Sequence, residues 1–355
     1  MWPEYFATPT IKAVDLFCGV GGLTHGLSRG GIDVVAGYDI DAACRFAYER
    51  NNEAKFIECD VGELDAVDVR ERLSGANVTL MAGCAPCQPF STYSRTGRAE
   101  KAGTDWNLVA KFGELVQKVQ PDLVTMENVP ALKEHSVFKR FIASLEGYAV
   151  SWRIVQCAEI GIPQTRKRLV LLASRLSDVA PSISWTTRHK ITVRETISSL
   201  PRLAAGEESL SDPLHVACTL SDLNMQRIKA SKPGGTWRDW PEELRATCHR
   251  RSSGGTFPSV YGRMEWDQPA PTMTTQCFGY GNGRFGHPDQ DRAISLREAA
   301  MLQTFPANYE FVPPGQPVRF SSLGRLIGNA VPVRLGERIA ESFVTHVQEQ
   351  HPVSG

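Results

Sequence analysis

The residue best equipped for covalent chemistry is Cys87, in Met81-Ala-Gly-Cys-Ala-Pro-Cys-Gln-Pro-Phe-Ser91. A thiolate is a strong nucleophile, and Pro86 and Pro89 stiffen the backbone that presents it. Cys84, three residues earlier, raises two rival readings: a redox pair and half a zinc site. A redox C-x-x-C normally opens a helix, which Pro89 and Ser91-Thr-Tyr-Ser94 do not favour. A zinc site needs a second ligand pair, and the sequence has no other C-x-x-C and no H-x-x-x-H. Cys84 therefore reads as a buried packing cysteine, and Cys87 as the candidate nucleophile.

Three further clusters carry chemistry. Glu127, in Met126-Glu-Asn-Val-Pro130, follows an apolar run. In a cleft it could stay protonated and donate to a ring nitrogen; a helix-capping acid is the competing reading. Gln164-Thr-Arg-Lys-Arg168 places three cations before another apolar run, and strand alternation sends Arg166 and Arg168 to one face. Two arginines there suit a phosphate or a base carbonyl, against the plain alternative of a solvated charge run. Gly19-Val-Gly-Gly22 brings backbone close to a ligand at a helix start. Asp39, twenty residues after Gly19, can hold a ribose diol, and Asp60 can accept from an adenine amino group. The full G-x-G-x-x-G spacing is missing, which weakens NAD and FAD. A tight turn with capping aspartates remains the bland reading. The eight histidines lie outside any ligand spacing, so no metal is expected.

These residues need a frame to hold them. Residues 11–17, 34–38, 55–57, 78–81 and 123–126 read as strands. Helical patterns cover 23–29, 42–50, 108–119 and 137–145, and residues 148–156 and 169–173 read as a last strand pair. Alternation of this kind predicts an α/β fold with a mostly parallel, Rossmann-like sheet, whose chemistry gathers at the strands' carboxyl ends. Past residue 185 periodicity fades and Gly, Pro, Ser, Thr and Trp rise. From 160 to 260 there are 15 Lys and Arg against 9 Asp and Glu. This basic, loop-rich texture predicts a second, smaller domain. The expected division is 1–185, 186–321, and a segment 322–355 that returns to the first domain. Residues 296–303 and 333–350 read as helices.

The bulk numbers exclude several classes. The 355 residues carry 39 basic and 39 acidic side chains, so any polyanion surface must come from local segregation. Nine cysteines, an odd number, argue against a disulfide framework and for a reducing compartment. No signal-peptide pattern and no membrane-length apolar run is seen. A soluble, cytoplasmic, monomeric protein is expected.

Taken together the motifs resemble those of the DNA (cytosine-5) methyltransferase family. Asp15-Leu-Phe-Cys-Gly-Val-Gly-Gly22 resembles its cofactor motif, Pro86-Cys-Gln88 its nucleophile motif and Glu127-Asn-Val129 its acid motif. Gln164-x-Arg-x-Arg168 resembles its basic motif. Arg297-Glu-Ala-Ala-Met-Leu-Gln-Thr-Phe-Pro306 and Gly328-Asn-Ala-Val-Pro332 resemble its two late motifs, and all six run in the family's order.

The resemblance implies S-adenosylmethionine as cofactor and duplex DNA as substrate, with a companion restriction endonuclease as an allowed partner. It implies that Cys87 attacks C6 of a flipped-out cytosine, that Glu127 binds N3 and the exocyclic amine, and that Arg166, supported by Arg168, contacts O2. Phe17, Gly19, Gly21, Asp39, Ile40, Asp60, Val61, Asn329 and Val331 would line the cofactor pocket. Asp39 stands where the family more often has Glu. Gln88, Ser91 and Gln164 are the implied substrate contacts, and residues 91–104 the implied mobile loop. Asp105 is followed by Trp106 where the family often has Arg, which bears on how that loop is anchored. Residues 187–284 would read the target sequence. Methylation of tRNA and a non-catalytic DNA-binding role are the alternatives. A nicotinamide oxidoreductase rests on the glycine turn alone.

Overall fold

The computed structural model describes residues 10–86, 98–251, 255 and 257–350. Seven strands form one sheet: β1 (Ile11–Leu16), β2 (Asp33–Asp39), β3 (Lys55–Glu58), β4 (Val78–Gly83), β5 (Leu123–Asn128), β6 (Ala149–Gln156) and β7 (Lys167–Ser174). Their order is β3-β2-β1-β4-β5-β7-β6. β1 to β5 are mutually parallel, while β7 runs antiparallel to both β5 and β6. β5 is buried at every position, its polar Thr125, Glu127 and Asn128 included, so it lacks the alternation of a half-exposed strand.

Topology decides what the sheet's edge can hold. The carboxyl ends of five parallel strands lie along one edge. Because β7 is antiparallel, its amino end joins them: Leu169 pairs with Asn128 and Val170 with Glu127. An acid at the end of β5 and a base at the start of β7 thus become neighbours.

Helices α1 (Gly22–Arg29), α2 (Arg45–Asn51), α3 (Ala66–Leu73), α4 (Arg98–Val119) and α5 (Ser136–Ala143) connect the strands. Two of the strand-to-helix turns are closed by an aspartate. Asp41 accepts from Ala43 N before α2, and Asp65 accepts from Val67 N to cap α3. α3 was not foreseen. Its apolar residues are few, and only Ala66, Val69 and Leu73 are buried. The loop expected over 91–104 is corrected in part: from Arg98 onward the chain is already α4. Arg98-Ala-Glu-Lys-Ala102 are all strong helix formers, which offsets Gly103. Residues 91–97 lie outside the described residues. The core between sheet and helices includes Leu16, Phe112, Val124, Met126, Phe141 and Leu171.

By internal contacts the chain groups into two units. One comprises the residues up to Gln156, Lys167–Thr186 and those from Val331 on; the other comprises Cys157–Arg166 and Thr187–Ala330. The division expected from the sequence put 157–166 and residues 322–330 with the sheet, whereas their contacts group them with the second unit.

The last helix, α10 (Val333–Gln350), belongs to the sheet-bearing unit and packs on α1. The approach is close enough to require glycine. A Cβ on Gly26 would lie 2.2 Å from the Val333 carbonyl oxygen and 2.7 Å from Gly336 Cα. Arg29 Nε donates to Glu337 Oε1 at 2.6 Å beside this contact.

The second unit contains α6 (Val193–Ile197), α7 (Asp222–Ala230), α8 (Leu296–Leu302) and α9 (Phe320–Asn329). Trp237 and Trp240 are buried in its core with Ile228, Tyr280 and Ala293. They serve packing, the more ordinary of the two roles open to them. α8 starts with a reciprocal cap: Ser295 Oγ accepts from Glu298 N, and the Glu298 side chain accepts from Ser295 N. Glu298 also takes two bonds of 2.7 Å from the fully buried Arg292. Arg297 pairs with Asp212 at 2.6 and 3.0 Å.

Candidate active site

The glycine turn begins where β1 ends. Phe17 has φ of +61°, Gly19 +52° and Gly21 +87°. Only glycine takes such values freely, so Phe17 holds a strained backbone at this point. Gly21 caps α1 with its backbone, and no side chain covers the helix start. Asp39, at the end of β2, organises the turn. Its Oδ2 accepts from Gly19 N and its Oδ1 from Asp41 N, both at 2.9 Å. Ile40, next in the chain, is 68% exposed, an unusual position for a large apolar side chain. Asp60 is exposed and its Oδ1 accepts from Gly62 N at 2.7 Å. Val61, expected in the pocket wall, is instead buried in the core under the sheet's edge. It follows a loop aspartate, so its side chain can point inward while Asp60 points out.

Below the turn lies a buried polar group that the sequence reading passed over. Asp15 is fully buried, and Thr24 donates to its Oδ2 at 2.7 Å. Tyr48 Oη lies 3.1 Å from Thr24 Oγ1. Burial pushes the Asp15 carboxyl up to about 7; the Thr24 bond opposes this and the charge of Asp39 adds to it. The signal was an acid in the middle of an apolar strand, where burial without a partner is costly.

At the ends of β4 and β5 the predicted acid has a defined setting. Glu127 is 2% exposed. Arg168 Nε lies 2.6 Å from its Oε1 as an ion pair. Cys84 Sγ donates to its Oε2 at 2.7 Å. Asn128 Nδ2 donates to the Ala85 carbonyl at 3.0 Å, tying the end of β5 to the turn after β4. Cys84 N in turn donates to the Leu16 carbonyl at 3.2 Å. Cys84 is therefore not the packing cysteine expected from the sequence: it is partly exposed and bonded to the acid. Cys87, Gln88 and Ser91 lie outside the described residues.

Arg168, expected in support of Arg166, is the arginine that meets Glu127. Arg166 precedes β7 and belongs to the second unit. It is buried, and its guanidinium donates to the carbonyls of Met273 at 3.1 Å and Gly328 at 3.5 Å. Gln164, expected at the substrate, is fully buried. Its Nε2 donates to Leu302 O at 2.7 Å and Gln303 Oε1 at 2.6 Å, and its Oε1 accepts from Met273 N at 2.9 Å. Those bonds make it a brace within the second unit, and its short, saturated amide explains why. Asn329 ends α9 in the second unit and is exposed, whereas Val331 is buried in the first. Among the described residues no cluster of His, Cys, Asp or Glu could hold a metal, and no helix is long and apolar enough to cross a membrane.

A mainly parallel sheet with a glycine turn, an acid at the end of β2 and a clasped carboxyl along one edge has counterparts among known proteins. Residues 11–345 match the family model for C-5 cytosine-specific DNA methylases. The chain belongs to that family, and by class it is a DNA cytosine-5 methyltransferase. It is 50% identical to the Type II methylase M.HgiDII of Herpetosiphon aurantiacus, over 95% of this chain and 96% of that one. It is 28% identical to the Type II methyltransferase M.Eco47II of Escherichia coli, over 97% of this chain and 81% of that one. The fold resembles the solved structure of a DNA modification methyltransferase encoded within an Escherichia coli prophage. That match has a TM-score of 0.70 at 21% identity and covers 95% of this chain and 99% of the other. The mixed α/β sheet is thus of the S-adenosylmethionine-dependent methyltransferase type.

Proposed function

We propose that the protein methylates C5 of a flipped-out cytosine in duplex DNA through a covalent bond between Cys87 and C6. The observation that carries this reading is the clasp on Glu127, a buried carboxyl at the sheet's active edge. Cytosine C5 is a poor nucleophile. Addition of the Cys87 thiolate at C6 breaks ring conjugation, and the electron pair moves through C4 towards N3. Glu127 would meet N3 and the exocyclic amine, donating a proton as negative charge builds there. Arg168 holds that carboxyl, and Arg166 is the residue proposed for O2. After transfer a base, proposed to be a water, removes the C5 proton, and the pair returns to expel Cys87. The target base cannot be reached in a stacked duplex, so it must leave the helix at a cost of a few kcal/mol.

The residues at the β1 and β2 ends suit S-adenosylmethionine. The open backbone of Gly19 and Gly21 at the start of α1 suits a carboxylate, Asp39 a ribose diol, and the exposed face of Ile40 an adenine ring. Phe17, Asp60, Asn329 and the backbone of Val61 and Val331 complete the proposed set. When bound, the cofactor supplies an electrophilic methyl group to C5. Gln88 and Ser91 remain proposed DNA contacts, and residues 187–284 the proposed reader of sequence.

The Type II relatives support a role in a restriction-modification pair; we further propose that the enzyme acts as a cytoplasmic monomer. The test is trapping. A duplex with 5-fluorocytosine at the target should form a denaturation-resistant adduct with the wild type plus cofactor, and none with Cys87→Ser. An adduct formed by Cys87→Ser would overturn the nucleophile. Preference for tRNA over duplex DNA in competition would overturn the substrate.

A further inference from the structure

We propose that Cys84 is a positioning residue for Glu127, holding the plane of its carboxyl through the thiol. The proposal rests on the role given to Glu127 above. Three observations support it. Cys84 Sγ donates to Glu127 Oε2 at 2.7 Å, whereas Arg168 meets the other oxygen, Oε1. The thiol makes the hydrogen bond that orients the carboxyl through Oε2, while Arg168 places its charge beside Oε1. The thiol stands on stiff backbone: Cys84 N continues the β1–β4 ladder to Leu16 O, and Asn128 Nδ2 grips Ala85 O next to it. Glu127 is 2% exposed, so water does not compete strongly for this arrangement.

The chemistry explains why a thiol would be used. Arg168 pairs with Oε1 and leaves Oε2 to the thiol. A strong donor on Oε2 would bind a carboxylate tightly and oppose transfer of a proton to N3. A thiol is a weak donor and a weak acceptor. It orients the carboxyl, and once Oε2 carries a proton the sulfur competes poorly with a ring nitrogen for it. A serine hydroxyl at the same place would bind the ionised form more strongly, and alanine would not bind it at all.

The test is the pH dependence of single-turnover methyl transfer to duplex DNA by the full chain, for wild type, Cys84→Ser, Cys84→Ala and Glu127→Gln. Single turnover isolates chemistry from product release. The expected order of the alkaline limb is Cys84→Ser lowest, wild type between, and Cys84→Ala highest, with steps of half a pH unit or more. Cys84→Ala should also lose several-fold in maximal rate with its KM for S-adenosylmethionine unchanged, and Cys84→Ser should recover most of that rate below its shifted limb. A purely structural cysteine would lower all rates without reordering the limbs. Should Cys84→Ala fail to fold, the displacement between Cys84→Ser and wild type decides alone. Coincident limbs with an inactive Glu127→Gln overturn the Cys84 proposal and leave the Glu127 reading standing. A Glu127→Gln protein as active as wild type overturns both.

Discussion

Thr24 donates a hydrogen bond to Asp15 Oδ2 at 2.7 Å, while Asp15 Oδ1 is buried with no hydrogen-bond partner among the described residues. Burial raises the carboxyl's pKa from 3.8 to about 7, against the opposing Thr24 bond. The unfolded chain ionises near the lower value and the folded one near the higher. The resulting stability is fully present below about pH 4 and is lost as pH rises through about 7. Asp15→Asn should remove this dependence. By chemical denaturation, the variant should gain relative to wild type by up to about 4 kcal/mol between pH 4 and pH 8. Parallel stability curves for the two proteins would refute the assignment.

Asp39 holds both Gly19 N and Asp41 N. Asp39→Ala should loosen the turn and remove the proposed ribose contact together. Calorimetry should show S-adenosylmethionine affinity falling at least tenfold, which is about 1.4 kcal/mol. Asp39→Glu, the family's commoner residue, should retain most of the affinity. Unchanged binding by the alanine variant would move the cofactor elsewhere.

Cys87→Ser should abolish methyl transfer and keep a wild-type thermal melt, since it exchanges a single sulfur for oxygen. Turnover with labelled S-adenosylmethionine above background would exclude Cys87 as nucleophile.

The buried pair of Arg292 and Glu298 predicts a different loss. Arg292→Ala leaves Glu298 in the interior without its two guanidinium bonds. Breaking such a pair costs about 3–5 kcal/mol. Thermal melting should show the destabilisation. An unchanged melting profile would contradict it.

The sheet was legible because buried parallel strands leave largely apolar stretches, as residues 34–38 of β2 and 78–83 of β4 do. The antiparallel β7 was read only as part of a strand pair, since its direction depends on pairing across the sheet. Residues 320–329 were not read as a helix, because Gly324 and Gly328 obscure the pattern; both instead allow close packing against 274–278. In the site, Glu127 and Asp39 stood out as acids closing apolar runs. Cys84, Asp15 and Gln164 did not, because their roles depend on partners distant in sequence: Glu127, Thr24 and Met273. A thiol near a carboxyl and a thiol among methyl groups look alike in one dimension.

The packing of α10 on α1 has a consequence for synthesis. Arg29 and Glu337 are separated by 308 residues, yet their helices share a contact so close that only glycine fits at position 26. A ribosome will have made the whole sheet and the second unit before the cover over α1 exists. Until then the apolar face of α1 is open to water, to chaperones and to other nascent chains. Contacts of such long range also slow folding. The nascent enzyme should therefore stay prone to aggregation until α10 emerges.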